Sequence, residues 1–166
     1  MERERRMGQY HMRRSEKKID DPKILLEIIR DQKYMTLAMC DKGEPYLVTV
    51  NYAFDNNDRC FFFHCARRGK KIDYLTNNPV VWGQVLDDRG YREGECDYAY
   101  RTLHFKGKVE FVTTISEKKR ALRLLINQLE PDPESVTQRL LNKASLQKVT
   151  VGKVNVQFMS GKINSI

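Results

Sequence analysis

The chain has no apolar run approaching the roughly 18 residues of a membrane span, and charges stand near its N-terminus where a signal peptide needs an apolar segment. A soluble, cytoplasmic protein is the expectation. Cysteine is scarce: the thiols at 40, 60, 65 and 96 show neither CxxC spacing nor the density of a disulfide scaffold, and they read as reduced. Histidine is scarcer still, and His11, His64 and His104 are too scattered to define a zinc site. HExxH, GxSxG, a Walker-type lysine loop and the dinucleotide GxGxxG are all missing, which argues against a hydrolase, a kinase or a zinc enzyme. Repeats and low-complexity segments are also missing. The 166 residues suit a single domain with one continuous core.

What is present begins with charge. The formal net charge is +8, and residues 1–18 hold seven Lys/Arg against three Glu, so half the excess lies in one basic arm. Such an arm reads as a solubilising tail or as an attraction for nucleic acid. Residues 19–166 form the domain. Asp20 or Asp21 with Pro22 starts a helix in which Leu25, Ile28 and Ile29 share a face, ending near Gln32.

Strand patterns follow. Tyr34–Cys40, the turn Asp41-Lys42-Gly43 and Pro45–Phe54 predict a hairpin. In its second strand Tyr46, Val48, Val50, Tyr52 and Phe54 alternate with Leu47, Thr49, Asn51 and Ala53. Thr49 and Asn51 therefore lie on the more polar face, free to meet a ligand or solvent. Arg59–His64 predicts a third strand and Val80–Leu86 a fourth. Residues 87–97, rich in charge and with two glycines, predict an exposed loop, and Tyr98–Val112 a fifth strand with a bend at Gly107. Thr114 and Glu117 predict a capping box for a helix ending at Pro131, and Glu134–Ser145 a second amphipathic segment burying Val136, Leu140 and Leu141. Lys148–Met159 is the sixth strand, with a phase shift that suggests a bulge at Gly152. The sum is a mainly β fold with flanking helices: a six-stranded antiparallel barrel, closed or nearly so.

The stretch Phe61–Leu75, FFFHCARRGKKIDYL, concentrates the chemistry. An aromatic strand runs into a glycine and the start of a helix, Lys70–Thr76, with Arg67, Arg68, Lys70 and Lys71 around Gly69. Cations beside the unpaired N–H groups of a new helix favour an anion, although a solvated basic loop has the same composition.

Four pieces in order resemble the pyridoxamine 5′-phosphate oxidase-like flavin-binding split barrels, of Greek-key type, and most closely their nitroimidazole-resistance branch. They are GEPYLVTVNYAF, the F-H-x-A-x-x-G-K-K run at Phe63–Lys71, C-D-Y-x-Y-R at Cys96–Arg101, and the opening MRRSEKKI, within a match over residues 12–162. The resemblance implies a homodimer with FMN in grooves at the subunit interface. Gly69, Lys70 and Lys71 would hold the FMN phosphate, and Phe63, His64, Cys65 and Ala66 would line the pocket behind it. Val48, Thr49, Val50 and Asn51 would run beside the ring edge. Tyr100 and Arg101, with Met12 and Arg13, would approach from the partner subunit or over the ring.

The implied activity is an FMN-dependent oxidoreductase taking electrons from NADH or NADPH to a small acceptor, nitroaromatic or quinone-like. His64 is the candidate proton source, or a packing residue. A flavin carrier or sensor without turnover is the alternative, and a nucleic-acid-binding barrel a more remote one, since aromatic residues are not interleaved with the basic arm. Cys65 and Cys96 have no resolving cysteine nearby in sequence. The chain also departs from the vitamin B6 oxidases. It ends VNVQFMSGKINSI without their basic substrate motif, so oxidation of pyridoxamine phosphate is not expected, and Tyr98 stands where the branch commonly has tryptophan.

Overall fold

The computed structural model describes residues 12–164. The basic arm divides there: residues 1–11, including His11, lie outside the described residues, while Ser15–Lys17 forms a short 3-10 turn leading into strand β1 (Lys18–Ile19). Helix α1 (Pro22–Asp31) starts as its sequence dictates, with the Asp21 carboxylate accepting from the Lys23 N–H at 2.8 Å and Pro22 in the first turn. It buries Ile28 and Ile29.

Strands β2 (Tyr34–Asp41), β3 (Glu44–Asn51), β4 (Ala53–Asp55) and β5 (Cys60–Cys65) follow, then helix α2 (Lys70–Asn77). Next come β6 (Val80–Arg92), β7 (Asp97–Phe111), helices α3 (Ile115–Leu129), α4 (Pro133–Leu140) and α5 (Lys143–Lys148), and β8 (Thr150–Asn164). The eight-stranded sheet runs β3-β2-β6-β7-β8-β5-β4, with β1 paired to β8 and every pairing antiparallel. Its two end strands, β3 and β4, are halves of one run separated only by Tyr52, so the sheet curls until its ends meet. This is a barrel with a split: β3 pairs on one side only, and Phe63–Cys65 of β5 continue beyond the three residues that pair with β4.

The strand count exceeds the expected six because β1 is an addition and the expected strand Pro45–Phe54 is two strands that change partners at Tyr52. Residues 87–97 are mostly not a loop. Six of them, Asp87–Arg92, extend β6, and the turn is confined to 93–96, so β6 and β7 project as a two-stranded arm. Charge misled the expectation, because the covered positions here, Asp87 and Arg92, are themselves charged and so leave no apolar–polar alternation in the sequence.

The bulge in β8 is also displaced. Lys106 pairs with Phe158 and Gly107 with Val156, leaving Gln157 as the extra residue. Gly152 is in regular register opposite Phe63, and a Cβ there would collide with the Phe63 ring. Val151 faces outward beneath α3 whereas Gly152 and Val154 face the barrel interior, so both faces of this stretch are buried and the phase never shifts. The second amphipathic segment splits at Leu141-Asn142, with Leu140 exposed and Leu146 buried in its place.

The interior is aromatic. Phe61 and Phe63 are fully buried, with Phe61 stacked on Phe105 at 4.4 Å and edge-on to Tyr52 at 5.4 Å. Each such ring contributes on the order of 1.5–3 kcal/mol by leaving water. Phe62 points the other way and packs with Cys60, Val112, Ala121 and Val151 under α3. Burial pushes the Cys60 thiol up to about 11, leaving it a small apolar core group. Arg120 of α3 pairs with Asp55 and Asp58, which fastens the helix to the β4–β5 turn.

Candidate functional site

The split is where backbone polar groups remain to be satisfied. The run β3–β4 is antiparallel to β5, so Val48–Asn51 lie along the part of β5 that has no β4 partner. Along β3, Tyr46 and Val48 are partly buried and Val50 is buried, while Leu47, Thr49 and Asn51 are exposed, as the alternation requires. The Thr49 hydroxyl meets the Thr36 hydroxyl at 3.1 Å, and the Asn51 amide donates to the Lys33 carbonyl at 3.0 Å.

Across the split, Phe63 is in the core, His64 is exposed, Cys65 is half-buried and Ala66 is exposed. The chain then turns through Gly69, whose φ of 134° is one that L side chains rarely adopt. A Cβ built on Gly69 would meet nothing within 4 Å, so the approach to its backbone is open. No side chain caps α2, whose first turn is tied by the Gly69 carbonyl accepting from Ile72 and Asp73. The N–H groups of the first helical residues, Lys70 and Lys71, therefore have no intrahelical partner.

Arg67, Arg68, Lys70 and Lys71 surround this end, and none is within 4.0 Å of a carboxylate among the described residues. Lys70 Nζ instead sits 4.8 Å from the centre of the Tyr46 ring and 5.2 Å from that of Tyr74. Partial desolvation first, and then the neighbouring Lys71 cation, hold the His64 imidazole below the ordinary histidine range, so it is neutral at pH 7. Burial raises the Cys65 thiol, against a smaller opposing effect of Lys71, which argues against a reactive thiolate.

The other expected contacts lie elsewhere in the chain. Tyr100 aligns with Asn164 of β8, whereas Cys65 aligns with Thr150, fourteen residues away and on the order of 45 Å along the strand. Met12, half-buried, and Arg13, exposed, precede the turn that leads into β1, which pairs with Gly161–Lys162. Arg101 is committed. Its side chain is 10% exposed, and its guanidinium meets Asp87 at 2.7 Å, Glu27 at 3.1 Å and Asp31 at 3.8 Å, joining β7 to β6 and α1. Burial opposes ionisation of Asp87, but hydrogen bonds from Arg101 and Arg89 outweigh it and hold that carboxyl below its usual range. One chain thus brings together residues 48–51, 63–66 and 69–71, and does not bring Tyr100, Arg101, Met12 or Arg13 to the corner.

Tyr46 and Tyr74 were not among the sequence candidates, although Lys70 and Tyr74 stand at the i,i+4 spacing that places two side chains together on a helix. Among the described residues no cluster of His, Cys, Asp and Glu could hold a metal ion, and no helix is long and apolar enough to cross a membrane.

An antiparallel split barrel with flanking helices defines the structural class. The model of the pyridoxamine 5′-phosphate oxidase family matches residues 21–163, and the chain belongs to that family. It is similar to the crystal structure of a candidate 5-nitroimidazole antibiotic resistance protein from Bacteroides thetaiotaomicron, at 28% identity and a TM-score of 0.74, covering 88% of this chain and 86% of that one. The flavocytochrome Anf3 from Azotobacter vinelandii shares the fold at 15% identity and a TM-score of 0.79, over 95% of this chain and 73% of that one. An FAD-binding protein from Mesorhizobium loti does so at 20% identity and 0.62, over 87% and 96%. No curated protein sequence matches the chain.

Proposed function

We propose that the protein binds FMN, with the phosphate at Gly69, Lys70 and Lys71 and the ring system along Val48–Asn51, and that it is an oxidoreductase. The observation that carries this reading is the open end of α2: free N–H groups, an unobstructed glycine, and cations that no carboxylate neutralises among the described residues. These features fit a phosphate dianion, and the one-sided edge of β3 supplies backbone donors and acceptors of the kind a flavin's polar edge requires.

A bound flavin supplies the electron chemistry, accepting a pair from a reduced nicotinamide and passing it to a nitroaromatic or quinone-like acceptor. The chain's task is placement. Gly69 admits the phosphate to the backbone, Lys70 and Lys71 neutralise it, and the core side chains Phe63 and Val50 support the walls of the split. His64, neutral at pH 7, offers one ring nitrogen as donor and the other as acceptor beside this site.

The protein acts as a homodimer in this reading. A row across the outer face of the sheet, Leu47, Ala38, Trp82, Lys106 and Phe158, exposes Leu47, Trp82 and Phe158 at 64%, 46% and 41%. A second copy covering this strip would hide its apolar surface; in this reading Tyr100, Met12 and Arg13 serve the partner's flavin.

The double variant Lys70→Ala/Lys71→Ala tests the cofactor assignment: flavin is lost while the thermal transition is retained, and unchanged FMN occupancy would overturn it. Anaerobic mixing of the FMN-loaded protein with NADH or NADPH tests the activity. Bleaching is expected, and its failure with both donors leaves the carrier or sensor reading.

A further inference from the structure

We infer that Tyr46 and Tyr74 are positioning residues that hold the Lys70 ammonium ready for the phosphate, an inference that rests on the corner being a flavin phosphate site. Lys70 opens α2, and Tyr74 lies one turn later on the same helix; Tyr46 reaches it from β3. The two rings stand 5.3 Å apart at 58°, and the ammonium is within 6 Å of both centroids, the range in which a ring face attracts a cation. Both tyrosines are anchored against the core, so the seat they form is fixed before any ligand arrives.

The choice of seat decides what the charge can do. A carboxylate partner would orient a lysine and neutralise it, as Glu117 and Glu110 do for Lys153 at 3.3 and 3.6 Å. Ring faces orient it and leave the positive charge uncompensated. A flexible side chain ordered in advance also loses less entropy when it engages its ligand. The clamp should therefore strengthen binding of phosphate-bearing flavin and leave the phosphate-free flavin untouched.

Flavin fluorescence titrations of the full-length protein with FMN and riboflavin read this directly as a ratio of affinities. Lys70→Ala is expected to lower the FMN preference at least tenfold, roughly the worth of one charge-assisted hydrogen bond. Tyr46→Leu/Tyr74→Leu is expected to lower it about three- to tenfold, with riboflavin affinity unchanged, while Tyr46→Phe/Tyr74→Phe, which keeps both ring faces, stays within about twofold. Tyr74→Leu alone gives a smaller fall in the same direction and serves if the double leucine variant is not folded. A Lys70→Ala ratio equal to that of the parent would sink the phosphate site itself. If Lys70→Ala lowers the ratio but the leucine variants leave it unchanged or raise it, or if the phenylalanine pair behaves like the leucine pair, the clamp is wrong and the site stands.

Discussion

Two cationic sites in this protein differ in what faces them. At one end of the barrel Arg101 is nearly buried and bound by Asp87, Glu27 and Asp31. At the corner after β5, Arg67, Arg68, Lys70 and Lys71 meet no carboxylate among the described residues, and Lys70 rests on two aromatic rings. Acid-neutralised charge ties elements together and has little left for a ligand. Charge left without acid costs the fold some repulsion, and its availability is what a phosphate uses. The contrast separates cations that composition alone would treat alike.

The contrast breaks most visibly at Arg101. Arg101→Met leaves Asp87 with Arg89 alone and Glu27 and Asp31 facing an apolar side chain, and a loss of about 1–3 kcal/mol is expected by urea denaturation. Its pH dependence is a second signature. Because Asp87 is held below its usual range in the folded protein, the stability it contributes is complete above pH 4 and is lost as pH falls through the folded value. The methionine variant should show less of that acid loss, with Arg89 still paired to Asp87. Flavin affinity per folded molecule should stay as it was; a large fall with intact stability would mean that Arg101 serves the ligand after all.

Gly69→Ala probes the corner from the other side. The space beside Gly69 is open but its positive φ is one that only glycine adopts readily, so the expected cost is conformational, about 1–3 kcal/mol, with loss of FMN affinity as the helix start shifts. Loss of stability with unaltered FMN affinity would remove Gly69 from the site.

The smallest effect is a titration. His64 should titrate below the ordinary 6.5 in the flavin-free protein, followed by NMR of its ring, so protonating it disfavours the folded state as pH falls below that value. Lys71→Ala should move His64 partway up, burial remaining as the larger cause, and added FMN should also raise it by bringing a dianion near. A downward move on adding FMN would place the phosphate elsewhere.

Much of the barrel was legible because half-buried strands write their faces as alternation. Tyr46 to Asn51 and Leu103 to Val109 read correctly for that reason. The helix starts at Pro22 and Ile115 were legible from their caps, Asp21 and Thr114. Legibility failed where the two faces carry the same kind of residue. Asp87–Arg92 is charged at its covered as well as its exposed positions, and Val151–Gly152 is buried on both faces, so neither carries an apolar–polar phase. The site was legible as a local motif at Gly69–Lys71 but not as a constellation. Nothing in the order of residues says that Arg101 is already occupied by Glu27, 74 positions earlier, or that Tyr46 reaches Lys70 from another strand.

The central claim is that the split, with its corner of cations in no ion pair among the described residues, holds a phosphate-bearing flavin. The visible absorption spectrum of the purified protein, before and after addition of FMN and removal of the excess, tests it most directly. Flavin bands that remain with the protein are the predicted result. A protein that stays colourless after exposure to FMN would contradict the account.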